Sequence, residues 1–323
     1  MTSSKKKLVR EGDFLQKIFE YNSLPIPYYS MNNGHAICGD SLPILKKIKD
    51  NSVNLIFTSP PFALTRKKEY GNKSAEEYVE WFTTFAVEFK RILTENGSFV
   101  LDLGSAYLPG FPVKSIYQYE LLIHLCNELN FYLAQEFFHY NPSRLPSPAE
   151  WVTVRRIRVK DSVNVVWWLS KNPYPKADNK KILKPYSASM KLLLKNGYKA
   201  KLRPSGHDIS QNFSKNNNGA IPPNLLELAN TESNSQYLKL CKKHGLKPHP
   251  ARFPKDFATF FINFLTDEDD IVLDPFAGSN TTGYAAEILN RKWLSIEIRK
   301  DYLEGSKFRF KDQQDLFASK RSA

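Results

Sequence analysis

The stretch from Val53 to Phe62, VNLIFTSPPF, constrains this chain more than any other. Apart from Asn54, Val53 to Phe57 is an apolar run with β-branched members, the pattern of a strand buried in a parallel sheet. Thr58 and Ser59 end the run, and Pro60 and Pro61 forbid its continuation. A proline has no N–H for a sheet ladder and a fixed φ, so two in succession hold the chain extended in a rigid turn. Ligands of open α/β sheets sit outside the carboxyl ends of strands, where this turn lies. It carries the Ser59 hydroxyl, backbone carbonyls at Ser59 and Pro60 that no neighbouring strand need consume, and the flat face of Phe62. These groups suit a planar ring bearing an amino group. The lone pair of an exocyclic amine is delocalised into its ring, and two acceptors at its hydrogens would draw the nitrogen towards sp³ and expose that pair. Taken alone, the motif also reads as a strand followed by a Pro-Pro turn.

The flanking chain supplies a sheet for this strand to enter. Residues 1–30 are polar and irregular and are expected to form an arm. His35 to Cys38 predicts a short strand ending at Gly39-Asp40, and Ser41 to Lys49 has helical spacing, giving a strand, helix, strand unit. Ala75 to Leu93 predicts a helix whose stripe of Tyr78, Trp81, Phe82, Phe85 and Phe89 core packing explains. Ser98 to Leu103 predicts another strand. Within it Asp102 is a carboxylate among apolar residues, which costs free energy unless it is paired or functional. A helix over 116–129 and a strand over 131–140 follow, and Val152–Val159 with Asp161–Leu169 is expected to form a hairpin.

Charge is unevenly placed. The chain of 323 residues carries a net charge of +13, and 11 of that surplus lies between Lys171 and Lys247. A concentrated positive region is an electrostatic footprint for a polyanion, with nucleic acid the leading candidate. A membrane surface fits less well, because Pro, Gly and Asn interrupt the segment. No apolar stretch approaches the roughly 20 residues of a membrane span, and the basic N-terminus lacks the apolar region of a signal peptide, so the expected location is the cytoplasm. Cys38, Cys126 and Cys241 are too few and scattered for a disulfide framework. Cys241, His244 and His249 have no fourth ligand nearby at the spacing structural zinc needs, so no metal is expected. No cysteine follows a proline, which argues against a Pro-Cys thiolate nucleophile.

A second landmark lies near the other end. Ile271 to Asp274 predicts a strand running into PFAGSNTTG and a helix from Tyr284 to Leu289, the layout in which close backbone approach creates a ligand site. The spacing is neither a dinucleotide fingerprint nor a Walker P-loop. Glu297 ends the next strand, at the distance where such folds place an acid for ribose hydroxyls.

Together these motifs resemble the β group of permuted amino-methylating DNA methyltransferases, in which the Pro-Pro-aromatic motif precedes the glycine motif. TSPPFAL, RKKEYGN, RPSGHDI, IPPNLL, HPARFP and GSNTTG, as they stand here, are similar to one type II subfamily, and the resemblance covers most of residues 31–310. It implies an α/β fold, a Rossmann-like S-adenosylmethionine-dependent methyltransferase sheet with an inserted basic target-recognition region. The expected organisation is an arm (1–30), a first catalytic part (31–170), the recognition region (171–248) and a cofactor-binding part (249–323).

The Ser-Pro-Pro-Phe form implies methylation of cytosine N4 in double-stranded DNA, with Ser59, Pro60, Pro61, Phe62 and Asp102 as the catalytic set. Asp102 either accepts the proton or holds structure. S-adenosyl-L-methionine is the implied cofactor, contacted by Asp40, Phe253, Asp274, Phe276, Gly278, Asn280 and Glu297. Asp40 reads equally well as a helix N-cap, and Asn280 lies in a variable part of the motif. Arg203, Ser205, His207 and Asp208 carry groups suited to base edges. The resemblance also implies a monomer paired functionally with a restriction endonuclease. Methylation of adenine N6, or of an RNA or protein amide, remains an alternative, as does a DNA-binding protein without turnover.

Overall fold

The computed structural model describes residues 14–63, 73–197, 215–229 and 235–310. Ala177–Pro223 form a compact unit of their own, and the remaining described residues form another.

The larger unit is built on one nine-stranded sheet: β1 (Tyr29–Ser30), β2 (Gly34–Cys38), β3 (Val53–Thr58), β4 (Leu93–Leu103), β5 (Tyr132–Tyr140), β6 (Val163–Ser170), β7 (Leu225–Glu227), β8 (Ile271–Asp274) and β9 (Lys292–Glu297), in the order β1-β2-β9-β8-β3-β4-β6-β5-β7. β2, β9, β8, β3 and β4 run parallel, and β6 turns back antiparallel between β4 and β5. The chain leaves β3 towards β4 on one side and leaves β8 towards β9 on the other. The boundary between β3 and β8 is therefore the point where strand order reverses, at which such sheets open a crevice for ligands.

The helices are α1 (Leu15–Ile18), α2 (Ser41–Leu45), α3 (Ala75–Ile92), α4 (Tyr117–Asn127), α5 (Ala188–Asn196), α6 (Gln236–Lys243), α7 (Lys255–Leu265), α8 (Thr281–Ile288) and α9 (Lys300–Ser306). α3 starts where Ser74 accepts from the Glu77 N–H and carries Glu76 and Glu77 in its first turn, which suits the partial positive charge there. Its buried face, Tyr78, Phe82, Phe85, Ala86 and Phe89, follows the 3.6-residue period and joins a core that includes Phe99, Leu121 and Trp167.

Three expectations are corrected. The N-terminal segment is not an arm from residue 14 onward: Phe14, Leu15, Ile18 and Phe19 are buried, because this spacing puts all four on one side of α1. The hairpin over Val152–Val159 does not form. Glu150–Val154 makes a turn of π-helix, and β5 takes the edge of β6 that the hairpin needed. Val154, Ile157 and Val159 are exposed and give a strand no core to face. α8 begins at Thr281 rather than Tyr284, because Asn280, with φ +55, caps it by accepting from the Gly283 N–H.

The smaller unit is narrower than the basic segment delimited by charge. Asp178 caps a short 3-10 turn, Ser187 caps α5, and Lys184 pairs with Ala220. Residues from 224 onward rejoin the larger unit, where β7 pairs with β5 and α6 packs against α9.

Candidate active site

A cleft of about 850 Å³ opens at the carboxyl ends of the central strands and takes in both sequence landmarks. The turn after β3 contributes Ser59, Pro60, Pro61 and Phe62, and β4 contributes Asp102. Asp40, Phe253, Phe276, Gly278 and Glu297 line the same cleft. Two residues expected there do not line it, Asp274 and Asn280. Arg203, Ser205, His207 and Asp208 lie outside the described residues.

The turn is braced from beneath. The Tyr78 hydroxyl donates to the Pro61 carbonyl at 2.9 Å, tying the turn to α3. The Phe62 ring lies against Gly104, where a Cβ would stand 2.4 Å from the ring, so any side chain at 104 would displace it. The Ser59 hydroxyl donates to Asp102 Oδ2 at 3.1 Å, leaving the serine oxygen's lone pairs for an incoming donor. Asn164 Nδ2 donates to Asp102 Oδ1 at 3.2 Å, and Arg144 Nη1 donates to Asn164 Oδ1 at 3.0 Å. Burial pushes the Asp102 carboxyl above the usual carboxylate range, while His139, Asn164, Ser59 and Arg144 pull it back. The result is a carboxylate with a raised affinity for a proton, joined by one hydrogen bond to a hydroxyl in the cleft.

Asn164, Arg144 and His139 were missed from the sequence. Asn164 carried the cue that marked Asp102, a polar residue in an apolar strand. His139 gave no such signal: it stacks on Phe257 at 4.5 Å, and its Nδ1 is buried without a hydrogen-bond partner among the described residues.

The other half of the cleft is the turn after β8. Gly278 takes φ +52, and a Cβ there would stand 3.1 Å from the His249 ring, so glycine suits both the conformation and the close approach. Its N–H donates to Glu297 Oε2 at 2.8 Å, while Glu297 Oε1 accepts from the Arg299 N–H at 2.9 Å. Burial raises the Glu297 carboxyl and holds the His249 imidazole down at about 4, neutral at physiological pH. Phe276 packs against Trp81 and Phe85, ring centroids 5.9 and 5.0 Å away, and all three line the cleft. The α3 stripe thus has a second use through Trp81 and Phe85. Asp40 caps α2 by accepting from the Leu42 N–H and also faces the cleft.

Asp274 and Asn280 build the turn instead of facing the cleft. Asp274 accepts from Thr58 Oγ1 at 2.8 Å, Thr282 Oγ1 at 2.6 Å and the Phe276 N–H at 3.1 Å, which uses both oxygens and staples β8 to β3. Besides capping α8, Asn280 accepts from Ser295 and donates to the Tyr29 hydroxyl. Among the described residues no group of three or more His, Cys, Asp or Glu is arranged to hold a metal ion.

An open sheet with its crevice at the strand-order reversal, a Ser-Pro-Pro-Phe turn and an acid-ended glycine turn define a methyltransferase scaffold. A family model described as DNA methylase matches residues 53–308, and the chain belongs to that family. It is 53% identical over 289 residues to the type II methyltransferase M.PvuII of Proteus hauseri, covering 88% of this chain and 86% of that protein. It is 29% identical to the type II methyltransferase M.ScaI of Streptomyces caespitosus, covering 86% of this chain and 81% of that one. The solved structure of the PvuII DNA methyltransferase (cytosine-N4-specific) matches with a TM-score of 0.73 at 47% identity, covering 88% of each chain.

Proposed function

We infer that this enzyme transfers the methyl group of S-adenosyl-L-methionine to N4 of cytosine at a specific site in double-stranded DNA, protecting the site from a cognate restriction endonuclease. The observation that carries this reading is the Ser59–Asp102 hydrogen bond beside the Pro-Pro-Phe turn, in the cleft that also holds Glu297 and Gly278.

The cleft fits the cofactor. Phe276, Trp81 and Phe85 offer apolar faces for its adenine, Glu297 and Asp40 offer carboxylates for hydroxyl and amino groups, and the backbone at Gly278 leaves room for close approach. When bound, S-adenosyl-L-methionine supplies an electrophilic methyl group on a sulfonium.

The chain's own residues do the rest. N4 of cytosine is unreachable within a base stack, so the base is taken out of the duplex into the cleft. Phe62 stacks on it, held at its depth by the glycine at 104. The Ser59 oxygen, its proton directed to Asp102, accepts one N4 hydrogen, and a carbonyl of Ser59 or Pro60 accepts the other. Holding the amine in line supplies most of the acceleration, because attack on a sulfonium needs orientation more than chemistry from the protein. The methylated amine is positively charged and acidic. Its proton passes towards Ser59 and Asp102, which the buried carboxylate's raised proton affinity favours.

Base reading falls to the basic segment, with Arg203, Ser205, His207 and Asp208 as readers and lysines such as Lys180, Lys181 and Lys191 on phosphates, which makes binding salt-dependent. We place the enzyme in the cytoplasm as a monomer, because a hemimethylated site needs one copy.

Mixed-sequence DNA is incubated with methyl-labelled S-adenosyl-L-methionine, digested, and the labelled nucleoside identified. N4-methylcytosine is the expected product. N6-methyladenine would overturn the assignment of Ser59, and unlabelled DNA with cofactor binding intact would point to a binder or to another amine substrate.

A further inference from the structure

The turn that follows β5 has a construction that substrate contact within the cleft does not explain. Asn141 and Arg144 line the cleft, with Ser162 and Asn164 beside them. Between and after them, residues 141–148 read NPSRLPSP, three prolines in eight positions. The Ser143 N–H donates to Asn141 Oδ1 at 3.1 Å, and the Arg144 N–H donates to the Asn141 carbonyl at 3.2 Å. Lys160 Nζ donates to the carbonyls of both Pro142 and Arg144, at 3.1 and 3.2 Å. Arg144 itself is held by Asn164. Leu145, next in the chain and restricted to extended backbone by Pro146, is 80% exposed.

An apolar side chain held out to solvent on a braced turn gains nothing for the free protein. Its neighbourhood says what it meets. From Arg144 to Lys160 five arginines and lysines stand against one acid, Glu150, and Ile157 and Val159 add further exposed apolar side chains. Exposed apolar side chains in a basic stretch suit an apolar base stack flanked by phosphates, the partner that the cleft's inferred action on a base also requires. Taking a cytosine into the cleft leaves a gap of apolar character in that stack, and the braced turn stands at the cleft's edge.

We propose that Leu145 enters the duplex beside the cleft and fills the place the flipped cytosine leaves, holding the base out during transfer. The proposal rests on the inferred action on a base in duplex DNA. Leu145 is a positioning residue: it acts through the DNA and touches neither the reacting amine nor the cofactor. The expected consequence is selective. Removing the side chain penalises extrusion of a paired base and leaves the chemistry on an already unpaired base intact.

The test compares the wild type, Leu145→Ala and Leu145→Met on two oligonucleotide duplexes carrying the mapped site, one with the target cytosine paired to guanine and one with it mispaired. Leu145→Ala should lose about tenfold or more in kcat/KM on the paired duplex and come within about threefold of wild type on the mispaired one, since an unpaired base has less to lose on leaving the stack. Leu145→Met, still long and apolar, should restore most of the loss. Wild-type activity of Leu145→Ala on the paired duplex would overturn the proposal. So would an equal loss on both duplexes, which would make Leu145 a support for the cleft. A wild-type protein that methylates neither cytosine would instead overturn the reading on which the proposal rests.

Discussion

Asp102 on β4 and Asp274 on β8, the two strands that flank β3, are both buried and both have carboxyls raised by desolvation, yet they occupy opposite kinds of site. Asp274 takes donors from Thr58 on the neighbouring strand, Thr282 on the following helix and the Phe276 backbone, all of them scaffold. Asp102 takes one donor from the mobile-proton hydroxyl of Ser59 and one from Asn164, and lies open to the cleft. A buried carboxylate in an apolar strand is thus only half of a functional signal. The other half is whether its donors are groups that a substrate can reach.

The contrast is tested first by removing each side. Ser59→Ala or Asp102→Asn should cut kcat by about 10²–10⁴ while unfolding at nearly the wild-type denaturant midpoint. Asp274→Ala should instead lower stability by about 3 kcal/mol, because two hydroxyls and an N–H lose their buried acceptor, with residual kcat tracking the folded fraction. Urea unfolding and steady-state methylation on the same preparations separate the two. A stable but inactive Asp274→Ala would collapse the distinction.

The comparison sharpens with pH. Burial puts the folded Asp274 carboxyl at about 6, above the roughly 3.9 of an unfolded chain. The folded state therefore holds the proton more tightly, and this contribution to stability is complete below about pH 4 and lost as pH rises through about 6. Its size is about 2–3 kcal/mol. Asp274→Asn cannot titrate, so its unfolding free energy relative to wild type should move in its favour by that amount between pH 4 and 7. A pH-independent difference would show that the three donors fully offset desolvation, and a change of opposite sign that they outweigh it.

The fold was legible because its cues are local. An apolar run stopped by two prolines, and IVLD stopped by Pro275 and Gly278, each announce a strand and its end within a dozen residues. The division of labour inside the site was not. Nothing near Asp274 reveals that Thr58, 216 positions away, takes its oxygen, nor that Tyr29 and Ser295 occupy the Asn280 amide. The failed hairpin has a similar cause: VTVRRIRV alternates like a strand, but alternation does not say whether a sheet edge is available, and β5 already holds it. Phe14 to Phe19 is readable in principle, since its apolar spacing fits one helical face, but so short a stretch is hidden within a polar, irregular segment.

The smallest expected effect bears on why Asp102 is held by a second donor. That donor is Asn164. It donates to Asp102 Oδ1 and accepts from Arg144, so it fixes the carboxylate's orientation and favours its charged form. Asn164→Ala should lower kcat about tenfold with KM little changed, the loss expected for one hydrogen bond to a charged group. The sign of a second change is more telling. Loss of a donor to the charged form raises the Asp102 pKa further, so the acid limb of the kcat profile, where protonated Asp102 can no longer accept a proton, should move to higher pH. A residue that merely packed the site would lower the whole profile and leave that limb where it was. A Ser59→Ala, Asn164→Ala double variant no worse than Ser59→Ala alone would then show that both residues act through the same carboxylate.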